Sequence, residues 1–148
     1  MSHIVAIQTE IKDIEAVKRA CAELGLEFKE NQTTCAFWPS QGKPQTHPCT
    51  HAIALPVGHY KMELGLVRQP SGSYTLVGDE LLKLDNNEHG WCERIFGRLT
   101  NPLGKNFNKL LQLYGVNKAT IEAKKRGYLV TRSIVPGTQK IQLAVTGM

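Results

Sequence analysis

The sequence lacks the features that mark membrane-spanning and exported proteins. Its longest apolar runs are only a few residues, which is too short to cross a bilayer. The N-terminus, MSHIVAIQTEIKD, has neither the basic start nor the apolar centre of a signal peptide. The four cysteines stand at irregular spacing, which indicates reduced thiols rather than a disulfide framework. We therefore expect a soluble, cytoplasmic protein with no membrane partner.

A complete catalytic motif is also lacking. The stretch SQGKPQ is not a phosphate-binding loop, because it lacks the first glycine and proline follows the lysine where Ser or Thr should hold magnesium. No helix-turn-helix, zinc-finger or paired aromatic RNA-binding signature occurs. The carboxylates Asp79 and Glu80 could form an acid/base or metal pair, although such residues more often end a strand or cap a helix. The sequence therefore favours a non-enzymatic protein.

What is present is an ordinary globular chain. It has 148 residues, of which 41% are hydrophobic and 21% charged, and it contains no internal repeat and no linker. A chain of this length can bury a core without disulfides. We expect one domain over residues 1–148.

Apolar periodicity predicts the order strand, helix, several strands, helix, strand, strand. The first helix is expected between Asp13, as N-cap, and Gly25 just past its end. Residues 60–79 are expected to form a hairpin. The second helix is expected between Asn101 as cap and Gly127 as the residue after its end. This order favours an α+β fold, a two-layer sandwich of a mostly antiparallel sheet with two main helices packed on one face.

Residues 31–51 interrupt the periodicity. They contain three prolines and many small polar residues, which predicts a long loop inserted into the domain. Phe37 and Trp38 are aromatic anchors of the kind that protein interfaces use. One alternative function is therefore an interaction factor, an adaptor or inhibitor, that contacts its partner through this segment.

The same segment offers sulfur and nitrogen donors. Cys35, His47, Cys49 and His51 lie within 17 residues and could supply ligands to zinc, although the spacing is not that of a standard zinc finger or ribbon. A loop that is mobile or ordered by a partner is the other interpretation. A metal-binding or small-ligand-binding protein is thus a further alternative, with zinc as its one candidate cofactor.

Charge is distributed unevenly along the chain. Residues 1–93 hold 8 Lys/Arg and 12 Asp/Glu, a net charge of −4, whereas residues 94–148 hold 10 Lys/Arg and the single acid Glu122, a net charge of +9. Such asymmetry is typical of proteins that bind polyanions, although ordinary basic surfaces could also fall in one segment. The favoured function is a basic module that binds nucleic acid or an acidic protein surface through residues 98–140. The candidate contacts are Arg98, Lys105, Lys109, Lys118, Lys124, Lys125, Arg126 and Arg132.

Several short motifs occur in a familiar order: MSHI, LGLEF, GHYKMELGL, YTLVGDELL, YGVNKATIEAKKRGY and QKIQLAV. In this order the chain resembles the domain-of-unknown-function 1257 family, which is encoded in cyanobacteria, red-algal plastids, other bacteria and some phages. The resemblance excludes roughly residues 31–51 and 86–101. It implies no reaction, cofactor or functional residue. Its association with ATPase-type neighbours and phage genomes implies an ATPase or other protein partner, and an exposed edge strand would allow a homodimer.

Overall fold

A five-stranded antiparallel sheet forms the centre of the α+β fold, with two helices packed on one face. The structure, a computed structural model, describes residues 4–40, 42–55, 62–79, 103–138 and 140–147. The strands of this sheet are β1 (Ile4–Ile11), β2 (Glu27–Lys29), β5 (His51–Ala54), β6 (Glu63–Arg68) and β7 (Tyr74–Asp79). Their order across the sheet is β1-β7-β6-β5-β2, and each neighbouring pair is antiparallel.

Helix α1 (Ile14–Leu24) has the predicted limits. The Asp13 carboxylate accepts a hydrogen bond from the Ala16 backbone N–H at 3.2 Å, so it caps the first turn as expected. At the other end, Gly25 adopts a left-handed φ of 73°, which a residue with a side chain would enter only with strain.

Helix α2 (Asn108–Lys125) begins later than predicted. The proposed cap and first residue of the longer helix, Asn101 and Pro102, lie outside the described residues. A 3₁₀ turn (Lys105–Phe107) precedes α2, and Phe107 takes a left-handed φ of 62° that interrupts the helical path. The Phe107 side chain is fully buried, so the core contact outweighs the backbone strain at this position.

The main core lies between the helices and the sheet. The Tyr114 hydroxyl of α2 accepts hydrogen bonds from the backbone N–H groups of Lys12 and Asp13, at 2.9 and 3.2 Å. These bonds connect α2 to the start of α1. The sheet presents its alternate side chains to the same layer, since every second residue of a strand points to one face. The fully buried sheet members of this layer are Ile11, Ile53, Leu64, Leu66 and Leu76.

Two strands of a hairpin occupy most of the segment 31–51, so the prediction that it is a long loop was wrong. Strands β3 (Thr34–Ser40) and β4 (Lys43–Pro48) pair antiparallel, and the hairpin covers part of the sheet face opposite the helices. Two of the three prolines, Pro44 and Pro48, misled the prediction because they lie on the outer edge of β4. The Cys49 backbone N–H donates to the Thr33 carbonyl at 2.9 Å, and the alternation of the ladder then turns positions 44 and 48 outward. Proline there removes no ladder hydrogen bond.

The chain ends in a second, separate hairpin. Strands β8 (Leu129–Ile134) and β9 (Ile141–Thr146) pair antiparallel in register from Leu129↔Thr146 to Ile134↔Ile141. They form a two-stranded sheet of their own beside α2. Both strands were predicted. Among the described residues, no helix combines the length and the apolar character needed to cross a membrane.

Candidate anion-binding surface

Three adjacent cations occupy the junction between α2 and the terminal hairpin. Lys124 and Lys125 end the helix, Arg126 caps it, and Gly127 turns the chain into β8 with a left-handed φ of 81°. All three cations are exposed, and within the described part of the chain none of them forms an ion pair. We call these three residues together with hairpin β8–β9 the basic end. No acidic residue follows Glu122, so the basic end carries no carboxylate of its own.

Arg132 belongs to the basic end but is already engaged. Its guanidinium pairs with the Glu23 carboxylate at the end of α1, and Asn117 of α2 donates to the same carboxylate at 2.6 Å. These two partners hold the pKa of Glu23 below its ordinary value, and the hydrogen bond from Arg132 has the larger effect. Arg132 therefore fastens the hairpin to α1, and only part of its charge is available to a ligand.

The remaining candidate cations lie elsewhere. Lys105 and Lys109 stand at the start of α2, and Lys109 is about 22 Å along the helix axis from Lys124 at 1.5 Å per residue. Lys118 lies near Glu10 of β1, whose pKa is lowered chiefly by Lys12 and further by Lys118. These three lysines therefore lie outside the basic end, and their role as anion contacts stays a prediction. Arg98 lies outside the described residues.

Exposed apolar side chains accompany the cations. Tyr128, Leu129, Ile134 and Val145 are 41%, 59%, 67% and 51% exposed, although they belong to or adjoin strands. A shallow groove of about 270 Å³ separates the last turns of α2 from the hairpin, with Arg126, Tyr128 and Val145 in its lining. None of these four apolar residues is among the contacts predicted from the sequence. In β9 the apolar residues Ile141, Leu143 and Val145 stand at every second position, which was the signal available for Val145, whereas β8 shows no such alternation.

The four proposed zinc ligands do not converge. Across the described residues, no group of three or more His, Cys, Asp or Glu side chains is placed to hold a metal ion. Only Cys35 and Cys49 lie side by side, within hydrogen-bonding reach of each other. Burial raises the pKa of Cys35 to about 12 and also raises that of Cys49, which disfavours the thiolate that zinc requires.

The two histidines have other partners. The His47 ring stacks on Phe37 at 5.8 Å between centroids, and its Nδ1 lies 2.8 Å from the Pro48 carbonyl. His51 lies on the opposite side of the sheet, against Phe28 and Tyr74 of the helix-side core. Its Nδ1 accepts a hydrogen bond from the Asn31 backbone N–H at 2.9 Å. Burial lowers the pKa of His51. The proposed set Cys35, His47, Cys49 and His51 is therefore not a metal site, because the sheet separates its members.

The aromatic anchors proposed for a partner are not both available. Phe37 is 4% exposed and packs with Cys35, Ala52 and Val77 beneath the hairpin, so it holds the hairpin on the sheet. Trp38 belongs to β3, and its side chain lies outside what the structure describes.

A buried carboxylate that sequence reasoning missed stands under the same hairpin. Glu63 is 1% exposed and accepts hydrogen bonds from Gln32 Nε2 at 2.9 Å and from the Ala36 backbone N–H at 3.0 Å. Lys29 Nζ lies 3.4 Å from its second oxygen. Because both hydrogen-bond donors come from residues 32–36, Glu63 clamps the hairpin to β6. A single charge in the apolar run MELGLV was the signal available. The other carboxylate considered, Asp79, is also buried, and Glu80 lies outside the described residues.

Comparison with known proteins leaves the family open. A scan against protein-family models, a search of curated proteins and a search of solved structures found no match to this chain. The resemblance to the domain-of-unknown-function 1257 family, read from motif order, stays a prediction.

Proposed function

We propose that this protein is a non-enzymatic binding module that engages a polyanion through its basic end. The observation that carries the proposal is the row of three cations Lys124, Lys125 and Arg126. All three are exposed, and none forms an ion pair with another described residue. The sequence that follows them contains no acidic residue. Neighbouring cations of one sign raise the local concentration of anionic ligands and release counterions when they bind.

The helix dipole explains the row only in part. Cations on the last turn of a helix stabilise it by about 0.3–1 kcal/mol each at low ionic strength. That effect accounts for Lys124 and Lys125, which lie within the last turn of α2. It does not account for the lack of any acid across the following hairpin, where the dipole has no influence. A ligand-binding role explains both features together.

Any recognition would follow the charge of the polymer rather than a base sequence. The described part of the basic end offers one exposed aromatic ring, Tyr128, and no second ring to complete a stacking platform. Nucleic acid and acidic protein are therefore both candidate polyanions. The hairpin β3–β4 supports a partner interface less well, because Phe37 is buried and two prolines occupy the outer edge of β4.

Paired charge-reversal variants test the proposal. The variant Lys124→Glu/Lys125→Glu is compared with Lys43→Glu/Arg68→Glu, which makes the same charge change at two exposed positions outside the basic end. Binding of a fluorescein-labelled single-stranded oligodeoxynucleotide and of labelled poly-L-glutamate is measured by anisotropy after nuclease treatment of the protein. We expect the first variant to lose about tenfold or more in affinity, and the second to lose less than about threefold. Equal losses, or no binding by the natural chain, would contradict the proposal.

A further inference from the structure

We propose that the polyanion is an acidic, extended protein segment that adds as a third strand to the outer edge of β8. This inference rests on the proposed function, because it uses the cations of the basic end. It goes further by naming the partner's chemistry and the backbone groups that receive it.

The outer edge of β8 is open. The Val135 backbone N–H donates to the Lys140 carbonyl at 3.0 Å, and this pair fixes the alternation of the ladder. The backbone groups of residues 129, 131 and 133 therefore face β9, whereas those of Val130, Arg132 and Ile134 face outward. Within the described residues β8 has no second neighbour, and none of these three outward N–H groups forms a hydrogen bond.

Two other edges, those of β9 and β4, are less available than this one. On β9 the outward N–H of Ile141 already meets Gln112 Oε1 of α2 at 3.4 Å. On β4 the prolines Pro44 and Pro48 remove two outward N–H groups. Strand β8 contains neither proline nor glycine, and five of its six residues are exposed. Such an edge can template an added strand.

The positive charges at and before β8 favour an acidic strand as the partner. Arg132 lies on the edge itself, and Lys124, Lys125 and Arg126 lie just before β8, without an acid after Glu122. A second copy of this chain that paired antiparallel with β8 about Arg132 would set two Arg132 side chains against each other, and like charges facing each other across a sheet are destabilising. An acidic strand gains from the same arrangement, and a chain of alternating Glu and apolar residues would also cover the exposed Leu129 or Ile134.

Ile134 allows backbone pairing to be separated from side-chain contact. Ile134→Pro deletes an outward N–H without removing a bond to β9, whereas Ile134→Ala keeps that N–H and removes most of the side chain. The probe is a capped peptide of alternating Glu and Val, with its Lys/Val counterpart as control. We expect the natural chain to bind the Glu peptide and not the Lys peptide. Ile134→Pro should lose about tenfold in affinity, and Ile134→Ala less than about threefold. Circular dichroism shows whether each variant keeps the fold.

Amide hydrogen exchange gives the second readout. Strand addition should protect the amides of Val130, Arg132 and Ile134 when the Glu peptide binds, and leave the already paired amides of residues 131 and 133 unchanged. Peptide binding that depends on Lys124 and Lys125 but is unchanged by Ile134→Pro would refute strand addition and leave the proposed function standing. Tighter binding of an oligonucleotide than of the Glu peptide would also refute the acidic strand and leave the proposed function standing. Self-association lost in Ile134→Pro would make the chain its own partner and overturn the inference, whereas failure of every polyanion to bind would overturn both proposals.

Discussion

Substituting Gly65 tests the packing of hairpin β3–β4 on the sheet. A Cβ at this position of β6 would stand 2.7 Å from Cys35 Sγ, 3.0 Å from a Val77 methyl and 3.1 Å from Cys49 Cβ. Favourable contacts between non-bonded heavy atoms lie at about 3.5–4.0 Å, so the hairpin or the sheet must shift. Overpacking of this kind costs about 1–3 kcal/mol. We expect Gly65→Ala to lower the free energy of unfolding by that amount, measured by urea denaturation.

Gly115→Ala is the matched control. Gly115 lies in α2, and an added Cβ there meets no atom within 4 Å. The same chemical change should therefore raise stability by about 0.5–1 kcal/mol, because alanine favours the helix more than glycine does. Cys35→Ala removes the closest atom, so Gly65→Ala should cost less in that background, with a coupling energy of at least about 0.5 kcal/mol. A neutral or stabilising Gly65→Ala would refute the placement of the hairpin over β6.

Three further predictions concern named side chains. Glu63→Gln should cost about 2 kcal/mol in urea denaturation, because the Gln32 and Ala36 donors lose a buried carboxylate acceptor. Glu23→Gln should cost less than about 1 kcal/mol, since its ion pair with Arg132 is partly exposed. The pKa of Glu23 is lowered on folding, so its contribution is present above about pH 4.3 and is lost as pH falls through the lower folded value. The two chains should therefore converge in stability in acid. In maleimide labelling followed by peptide mapping, Cys49 should react before the buried Cys35.

The contradicting outcomes differ for each prediction. Unchanged stability of Glu63→Gln would mean that the carboxylate does not clamp the hairpin. A stability difference for Glu23→Gln that does not change with pH would show that the contribution does not come from ionisation of Glu23. Labelling of Cys35 at the same rate as Cys49 would show that the hairpin opens readily.

Local signals predicted the elements better than their assembly. Asp13 and Gly25 gave both limits of α1, and Gly127 gave the end of α2, because caps depend on neighbouring residues. The start of α2 could not be read in the same way. It depends on the burial of Phe107 in a core formed by distant strands, and burial outweighs local preference there.

The candidate surface was only partly predictable for the same reason. The sequence located the cations, but charge counting cannot tell that Lys109 and Lys124 stand at opposite ends of a helix or that Arg132 is paired with Glu23. The zinc hypothesis failed because four donors close in sequence were distributed to both sides of a sheet. The open edge of β8 was visible only after the hairpin register was known.

The salt dependence of polyanion binding tests the central claim most directly. If Lys124, Lys125 and Arg126 each displace a counterion from a single-stranded oligonucleotide, the logarithm of the association constant should fall linearly with the logarithm of the salt concentration. The slope should be about −2 or steeper. The slope of Lys124→Glu/Lys125→Glu should be shallower, and that of Lys43→Glu/Arg68→Glu unchanged. A slope near zero for the natural chain, or one that the two double variants reduce equally, would contradict a polyanion site at the basic end.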